Sequence, residues 1–420
     1  RLLASARVVP ELSQFADGAE AYIALLRSRS VETWAREADV CLADVDVLAD
    51  VVADRPCAFL LGWGMARRSR GGAIMRAVDA LCAASGNVGI PGGGANYCTH
   101  EHGALASLNL PAPPRTVAVP TLGRALVETH DPAIRAVWIT SGNPVAMLPD
   151  SKALQRGLQS RDLVVVVDSF LTDTARCASV VLPTTTLVED DDLLLSFGHH
   201  WLGASRPVMQ PPPGVLTDLQ IAQRLAEVID ARNVPGVPKL APRMDGTTTD
   251  WKRRLMEPLT KVGVGLEQLE SHAVRNPYAP EIPFAQRRFA TDTGRMQLVG
   301  EAPPPMACDP RHPLWLMSNS VRDAQCSQWS VEPPEVLPAV CHPEAVPGCA
   351  DGQLVRLENE LGSLAVRLCF DARQRRDVIM VPKGGHLSGG HCANALISDR
   401  LTDMGEGAAY LDARVRVSCA

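Results

Sequence analysis

The sequence has no pair of cysteines in the C-x-x-C spacing, although it contains 12 cysteines among its 420 residues. Iron–sulfur clusters and structural zinc sites usually take their thiolates from such pairs. We therefore expect most of these cysteines to be buried apolar residues in a reducing compartment. We also expect that this chain holds no iron–sulfur cluster of its own.

Long apolar runs and basic blocks are also missing. No apolar run approaches the roughly 18 residues that cross a bilayer, which predicts no membrane insertion. The formal net charge is −6, so nothing predicts binding to nucleic acid. The chain begins at Arg1, without methionine or a signal-like segment. We expect a piece of a longer cytoplasmic protein, or of a periplasmic one if a signal precedes it.

Residues 161–192 form the most informative segment. A run of valines at 164–167 ends at Asp168, and a short β-branched run without alternation predicts a strand buried on both faces, as in a parallel sheet. Ligands bind at the carboxyl ends of such strands. There the Asp168 carboxylate could accept N–H donors from a guanine edge, or the hydroxyls of a ribose. The alternative is that Asp168 only caps the following turn.

An earlier segment has a similar strand–turn–helix pattern. A strand at 56–61 enters Gly62-Trp63-Gly64, and an amphipathic helix at 73–85 leads to the glycine-rich run 86–94. These glycines could simply permit a tight turn. The pattern fails the G-x-G-x-x-G fingerprint of NAD-binding dehydrogenases at Arg67, so we discount that class.

The remaining elements follow from periodicity and composition. Residues 1–54 are predicted to be helical, with one acidic helix over 35–53, and a further amphipathic helix is predicted at 218–226. Residues 232–310 are proline-rich and predict a long connection with short helices. From residue 312 the pattern predicts β-strands, at 313–318, 353–359, 363–370, 377–382 and 413–418.

Taken in order, these segments resemble the molybdopterin-dinucleotide oxidoreductases, the superfamily of dimethyl-sulfoxide reductase and formate dehydrogenase catalytic subunits. That superfamily has a G-x-N-P turn, a V-V-x-D strand, a T-x-T-A segment and an A-D-V-V-L-P strand. The corresponding residues here are 142–144, 166–168, 172–175 and 178–183, with Ser179 in place of the aspartate. The superfamily's L-x-x-x-T-G-N-x-G corresponds to residues 81–89, with serine in place of threonine.

The carboxyl-terminal third resembles the dinucleotide-binding β-barrel of the same superfamily. Residues 345–352 and Gly362 fit its D-G turn pattern, and residues 382–396 resemble the loop before its N-x-L-T motif. Residues 316–329 resemble its R-x-x-x-H-S-Q signature, in which Cys326 replaces the histidine.

The resemblance implies an α/β fold with Rossmann-like parallel sheets, followed by a β-barrel of the double-psi type. It implies three domains, at 1–112, 113–310 and 311–420. The iron–sulfur and metal-ligand segments of the superfamily have no counterpart here, so no residue is assigned as a metal ligand.

The implied cofactor is a bis-molybdopterin guanine dinucleotide carrying molybdenum or tungsten. The implied activity is two-electron redox, by oxygen-atom or hydride-type transfer, on an unidentified small substrate. An iron–sulfur cluster is expected only in a missing upstream segment, and an iron–sulfur electron-transfer subunit is the expected partner. The alternative is a non-catalytic electron-transfer scaffold, like the large iron–sulfur subunit of respiratory complex I. The retained Asp168, Arg322 and Asn394 argue against a scaffold, whereas the changes at Ser179 and Cys326 favour it mildly.

The residues that the resemblance assigns to the cofactor are Gly62, Gly64, Asn143, Asp168, Thr172, Thr174, Arg322, Ser327, Gln328, Lys383 and Asn394. Arg322 could pair bidentately with a pyrophosphate, or it could be an ordinary surface arginine. His386 and His391 are interpreted as hydrogen-bonding groups rather than metal ligands.

The predicted catalytic residues are His100 and His102, which lie where the superfamily approaches its active site. They could transfer protons, or they could belong to a solvent-exposed loop. Formate dehydrogenases have an Arg-Gly-Gln run there, and its replacement by residues 97–103 argues against ordinary formate oxidation.

Overall fold

The computed structural model describes residues 1–98, 103–108, 111–303, 306 and 309–419. In that part of the chain the helices are α1 (Leu12–Phe15), α2 (Ala19–Arg27), α3 (Val31–Ala38), α4 (Leu42–Ala53), α5 (Trp63–Ala66), α6 (Gly71–Ala84), α7 (Leu122–Glu128), α8 (Pro144–Met147), α9 (Ser151–Gln159), α10 (Asp218–Ala231), α11 (Thr248–Leu255), α12 (Glu257–Lys261) and α13 (Leu266–Ser271). The strands are β1 (Ala16–Asp17), β2 (Ala58–Leu60), β3 (Gly94–Asn96), β4 (Ala136–Thr140), β5 (Leu163–Asp168), β6 (Val180–Pro183), β7 (Leu193–Leu194), β8 (Trp201–Ala204), β9 (Val274–Arg275), β10 (Met296–Gln297), β11 (Leu314–Asn319), β12 (Ala324–Gln325), β13 (Gln328–Trp329), β14 (Leu337–Cys341), β15 (Leu354–Asn359), β16 (Gly362–Phe370), β17 (Val378–Pro382) and β18 (Arg414–Cys419).

The chain forms two compact units. Unit 1 comprises Arg1–Cys98, Pro280–Cys308 and Leu401–Ala409. Unit 2 comprises Thr99–Ala279, Asp309–Arg400 and Tyr410–Ala420. The division into three domains at residues 112 and 310 stays a prediction.

Unit 1 is largely helical and contains two small parallel sheets, β1–β10 and β2–β3. Its main core forms around α6, whose small buried residues Ala80, Cys82 and Ala83 pack with Phe15 and Leu298. Small side chains let neighbouring backbone approach α6 closely. The predicted helix at 73–85 is therefore confirmed, beginning two residues earlier at Gly71.

The prediction of one acidic helix over 35–53 is wrong. The structure has two helices there, α3 and α4, separated at Asp39. Asp39 adopts φ +55°, the left-handed conformation that ends a helix, and aspartate is one of the residues that tolerate it. The acidic pattern continues through this break, so periodicity alone did not reveal it.

Unit 2 contains a three-stranded parallel sheet in the order β4-β5-β6. The predicted strand buried on both faces is confirmed, because all four valines of β5 are buried. On one face, α7 and α9 contribute Leu126, Leu154 and Leu158 to the core. Asp168 is the last residue of β5 and therefore lies at the carboxyl edge of the sheet.

The carboxyl-terminal part of unit 2 is a closed barrel in the order β11-β17-β14-β16-β15-β18. It combines parallel pairs, β11–β17 and β14–β16, with antiparallel ones. Its core is built from alternate residues of these strands, including Leu316, Val366 and Ile379. The expected α/β fold with a carboxyl-terminal barrel is confirmed. The sequence did not predict β14, which contains Pro338, a residue that usually argues against a central strand.

Within the described ranges, no helix combines the length and apolar character that crossing a membrane requires.

A buried lysine joins α11 to the loops beside β8 in unit 2. Lys252 is only 3% exposed. Its Nζ pairs with the carboxylate of Asp191 and donates to the carbonyl oxygen of Ser205 at 3.1 Å. Removing one member of such a pair leaves the other charge partly buried without compensation.

We expect Lys252→Met to lower the free energy of unfolding by about 3 kcal/mol, since it strands Asp191 while keeping the side-chain volume. The control is Lys261→Met, at an exposed lysine paired with Glu257 in the same turn of helix. It should cost less than about 0.5 kcal/mol. Chemical denaturation measures both, and equal costs would contradict the structural role of Lys252.

Candidate functional site

The short helix α8 lies at the carboxyl edge of the parallel sheet. It begins with Pro144, whose missing N–H costs nothing at a helix start. The Oδ1 atom of Asn143 accepts hydrogen bonds from the N–H of Thr174 at 3.2 Å and from its hydroxyl at 2.8 Å. The Thr174 hydroxyl oxygen accepts the N–H of Val145 at 3.0 Å. The structure thus brings together two of the predicted ligands, Asn143 and Thr174.

The carbonyl groups at the other end of α8 accept hydrogen bonds from side chains in the segment between β17 and β18. Asn394 Nδ2 donates to the carbonyl oxygen of Ala146 at 2.8 Å, and the Tyr410 hydroxyl donates to that of Met147 at 2.7 Å. Carbonyl groups at the end of a helix need such external partners. Asn394 therefore borders the same four-residue helix as Asn143.

Each of these buried amides keeps one polar atom without a hydrogen-bond partner among the described residues. The atoms are Asn143 Nδ2, a donor, and Asn394 Oδ1, an acceptor. The two residues are 5% and 2% exposed, respectively. An unsatisfied buried polar group costs about 1–3 kcal/mol, and in native structures it calls for an explanation such as a bound water, ion or ligand. The pair suits a polar ligand that has both an acceptor and a donor.

Asp168 caps the turn after β5, as the alternative interpretation expected, and one of its carboxylate oxygens can still accept a hydrogen bond. Its Oδ1 accepts the N–H of Phe170 at 2.9 Å, which caps the turn after β5. Among the described residues, Oδ2 makes no hydrogen bond. Thr172 lies in the same turn, where its hydroxyl accepts the N–H of Ala175 at 3.2 Å.

The glycine-rich loop after β17 lies against both the sheet side and the hairpin β12–β13. Gly384 and Gly385 have φ +87° and +88°. A Cβ on Gly384 would lie 1.4 Å from the carbonyl oxygen of Cys326, and one on Gly385 would lie 2.0 Å from that of His391. Only glycine permits such an approach. The backbone at Lys383, which begins this loop, is therefore close to the backbone at Ser327, which follows Cys326.

The sequence was compared with known protein families and with individual proteins. Residues 34–228 match the family model of molybdopterin oxidoreductase. The probable oxidoreductase YyaE of Bacillus subtilis (strain 168) is 26% identical over 421 residues, which cover 93% of this chain and 62% of that protein. The assimilatory nitrate reductase of Haloferax mediterranei is 31% identical over 232 residues, which cover 50% of this chain and 32% of that protein. These matches support the molybdopterin oxidoreductase superfamily as the group that the chain resembles.

A solved structure supports the same fold. Acetylene hydratase from Pelobacter acetylenicus aligns with a TM-score of 0.52 and 17% identity, covering 72% of this chain and 46% of that one. The chain spans 62% and 59% of the length of two curated relatives from Bacillus subtilis, YyaE and the probable oxidoreductase YoaE. The sequence-based recognition of the superfamily is thus confirmed.

The residues predicted to contact phosphate lie on or near the hairpin β12–β13. Arg322 precedes the hairpin, is exposed, and forms no ion pair with any described residue. Gln328 begins β13 opposite Gln325, and Cys326 makes the turn at φ +56°. Lys383 donates its backbone N–H to Asn319 at 2.8 Å. Their assignment to a superfamily cofactor stays a prediction.

The remaining predicted residues lie elsewhere. Gly62 precedes α5 and Gly64 lies within it, both in unit 1. A Cβ on Gly62 would meet nothing within 4 Å, so packing alone does not require glycine there. The predicted catalytic residues His100 and His102 lie outside the described residues.

Ser179, which departs from the superfamily aspartate, has a structural role between β5 and β6. Its N–H donates to the carbonyl oxygen of Val164 at 2.8 Å, and its hydroxyl accepts the N–H of Val164 at 3.1 Å. Both bonds fix the edge where these strands begin. Ser179 therefore has a local structural role, which does not distinguish an enzyme from a scaffold.

The sequence analysis missed Asp173, which lies between Thr172 and Thr174. Its buried carboxylate accepts backbone N–H groups from the glycine-rich loop. Nothing in the local pattern marks it, because its partners lie more than two hundred residues further along the chain.

A second missed cluster comprises Asp309 and His312, which lie before β11, and Glu360, which lies between β15 and β16. These residue types can hold a metal ion, and their ligand atoms lie within 4.8 Å of one another. The hydrogen bond from His312 lowers the pKa of Asp309. However, Arg311 pairs with both carboxylates at 3.4 Å. We interpret the cluster as a surface ion network in which Arg311 offsets part of the negative charge.

His391 is buried and hydrogen-bonded inside the glycine-rich loop. Its Nδ1 accepts the N–H of His386 at 3.2 Å, which requires an unprotonated nitrogen. Burial, with a further contribution from the neighbouring His386, lowers the pKa of His391 below its ordinary value. Protonation would therefore break the loop's internal bond.

Because the folded state lowers this pKa, stability from His391 is complete above its unfolded pKa of about 6.5 and is lost as the pH falls below it. We expect His391→Gln to flatten the decline of melting temperature between pH 7 and pH 5. The exposed His130→Gln is the control. Scanning calorimetry at a series of pH values tests this, and an unchanged slope in His391→Gln would refute it.

We expect Gly384→Ala to destabilise the protein far more than Gly390→Ala. Both glycines have positive φ, but a Cβ on Gly390 meets nothing within 4 Å. Gly390→Ala should therefore cost only the backbone strain, about 1–2 kcal/mol, whereas Gly384→Ala must also displace the Cys326 carbonyl. Urea denaturation compares the two, and similar midpoints would contradict the close approach.

Proposed function

We propose that unit 2 binds the pterin and guanine dinucleotide portions of a molybdenum or tungsten cofactor. The observation that carries this proposal is the pair of buried, unsatisfied amide atoms, Asn143 Nδ2 and Asn394 Oδ1, beside α8. Fused heterocycles such as pterin and guanine carry donors and acceptors side by side on one edge. The residues present therefore fit the cofactor that the superfamily's name implies.

Asp168 is the proposed guanine-binding residue. Its Oδ1 is engaged by the Phe170 N–H, which fixes the carboxylate at the end of β5. Oδ2 remains available to accept an N–H from a guanine amine. Thr172, in the same turn, would contact the sugar or base edge. A carboxylate at the carboxyl edge of a parallel sheet is the usual position for such a contact.

Arg322 and Lys383 are the proposed partners of the pyrophosphate. Neither cation forms an ion pair with any described residue, so neither would have to give up a carboxylate. A planar guanidinium can bind two phosphate oxygens at once, and a lysine acts as a point charge. Ser327 and Gln328 add neutral donors from the hairpin.

We further propose that the whole protein is an oxidoreductase with a small-molecule substrate. When bound, the cofactor supplies two-electron redox chemistry at its metal, while the protein supplies binding, orientation and electrostatics. Relatives named nitrate reductase and trimethylamine-N-oxide reductase support a redox function. An iron–sulfur protein is the proposed electron-transfer partner. The unsatisfied amide atoms of Asn143 and Asn394 argue against the scaffold alternative, because a scaffold would offer them no ligand to bind.

We expect Asp168→Ala to reduce the amount of guanine nucleotide bound per protein by about tenfold or more. A loss of this size is what removing one charge-assisted hydrogen bond should cause. Asp162→Ala is the matched control, since Asp162 lies at the opposite end of the same strand and pairs with Arg135 at the surface. The nucleotide is released by acid from purified protein and quantified by chromatography.

Full occupancy in Asp168→Ala would refute the assignment of Asp168. An equal loss in Asp162→Ala would show that any damage to this strand releases the nucleotide, and would also refute a specific contact.

A further inference from the structure

Asp173 links the turn after β5 to the glycine-rich loop after β17. The residue is only 3% exposed. Its Oδ2 accepts the N–H of Leu387 at 2.6 Å, and its Oδ1 accepts the N–H of Ser388 at 3.3 Å. The imidazole Nδ1 of His386 lies 3.8 Å from Oδ2. A buried carboxylate is costly unless it is hydrogen-bonded, so this contact favours one position of the loop strongly.

The loop itself is a closed turn. The N–H of His386 donates to His391 Nδ1 at 3.2 Å, and the N–H of His391 donates back to the carbonyl oxygen of His386 at 3.2 Å. The N–H of Gly390 donates to the carbonyl oxygen of Leu387 at 3.0 Å. These bonds fix the shape of the turn but not its place against the sheet. Asp173 supplies that placement, together with the packing of Leu387 on the core of the sheet.

The placement matters because residues from both sides contribute to the proposed site. Thr172 and Thr174 flank Asp173 on the sheet side, and Lys383 and Asn394 flank the loop on the barrel side. We propose that Asp173 is a positioning residue, which sets the spacing between these two groups of cofactor ligands. This inference rests on the proposed function. Asp173 acts through the loop and is not itself assigned a contact with the cofactor.

The charge of Asp173 is essential to this role. Each carboxylate oxygen accepts one N–H, and hydrogen bonds to an ionised acceptor are stronger than neutral ones. In Asp173→Asn the shape is kept, but one acceptor oxygen becomes an NH2 group. That group would face the N–H of Leu387 or Ser388, donor against donor, and one of these backbone N–H groups would lose its partner.

The test compares Asp173→Asn with Asp351→Asn in the purified, cofactor-loaded protein. Asp351 is the matched control because its carboxylate also accepts a backbone N–H, that of Phe370 at 2.8 Å, within the barrel. Hydrogen exchange with residue-level mass spectrometry follows the amides of Leu387 and Ser388. The rate of release of the guanine nucleotide is measured in parallel.

We expect Asp173→Asn to speed exchange of these two amides by about tenfold or more, because one loses its partner and the other keeps only a weaker, neutral bond. The nucleotide should also dissociate faster, by a comparable factor. Asp351→Asn should change neither quantity.

Unchanged exchange in Asp173→Asn would overturn the proposed contact. Faster exchange with unchanged nucleotide release would overturn the positioning role and leave Asp173 a purely structural residue. Absence of any guanine nucleotide from the wild-type protein would refute the proposed function itself, and the exchange data would still decide whether Asp173 holds the loop.

Discussion

The need to satisfy polar groups in irregular backbone dominates the structure of unit 2. The loop between β17 and the buried turn at Asn394 has no regular ladder of hydrogen bonds, and α8 is too short to satisfy its own ends. Both contact residues of the sheet as well as residues that follow barrel strands. Side chains supply these partners: Asp173 and Asn394 bond across from the sheet to the barrel side and back, and Thr174 bonds α8 from within the sheet side. The barrel and sheet are thereby joined by hydrogen bonds with defined directions rather than by apolar packing alone.

Such a junction is suited to holding a polar ligand. Apolar packing tolerates small shifts, whereas a hydrogen bond weakens steeply when its angle changes. A site assembled from two elements therefore benefits from polar contacts that fix their relative position. The unsatisfied atoms of Asn143 and Asn394 lie within this network, at groups whose other polar atom is already bonded. Their orientation is thus set by the protein before any ligand binds, which lowers the entropic cost of binding.

The elements that could be predicted from sequence were those with strong local signals. Four consecutive valines favour a buried β-strand, and Asp168 marks the end of β5. Helix α6, with its small buried face, followed from periodicity. The barrel strands followed from alternation, except for β14, where Pro338 hid the pattern. The break at Asp39 was missed because a single left-handed residue changes the path of the chain without changing its composition.

The ligand set was predicted by resemblance, and the contacts that hold it in place could not be. Asp173 accepts N–H groups from residues more than two hundred positions away, and no local pattern reports such a partner. Likewise, the fold determines which polar atom of each amide, Asn143 and Asn394, has a hydrogen-bond partner and which has none. Long-range hydrogen bonds of this kind emerge only from the assembled structure.

Unit 2 is proposed to bind a molybdenum or tungsten pterin guanine dinucleotide. The most direct measurement is elemental analysis of the wild-type protein, combined with mass spectrometry of the nucleotide released from it by acid. We expect the wild-type protein to yield guanosine monophosphate together with molybdenum or tungsten, in a constant ratio across preparations. A different nucleotide, or protein that contains neither metal nor nucleotide after expression in a host that makes the cofactor, would contradict it.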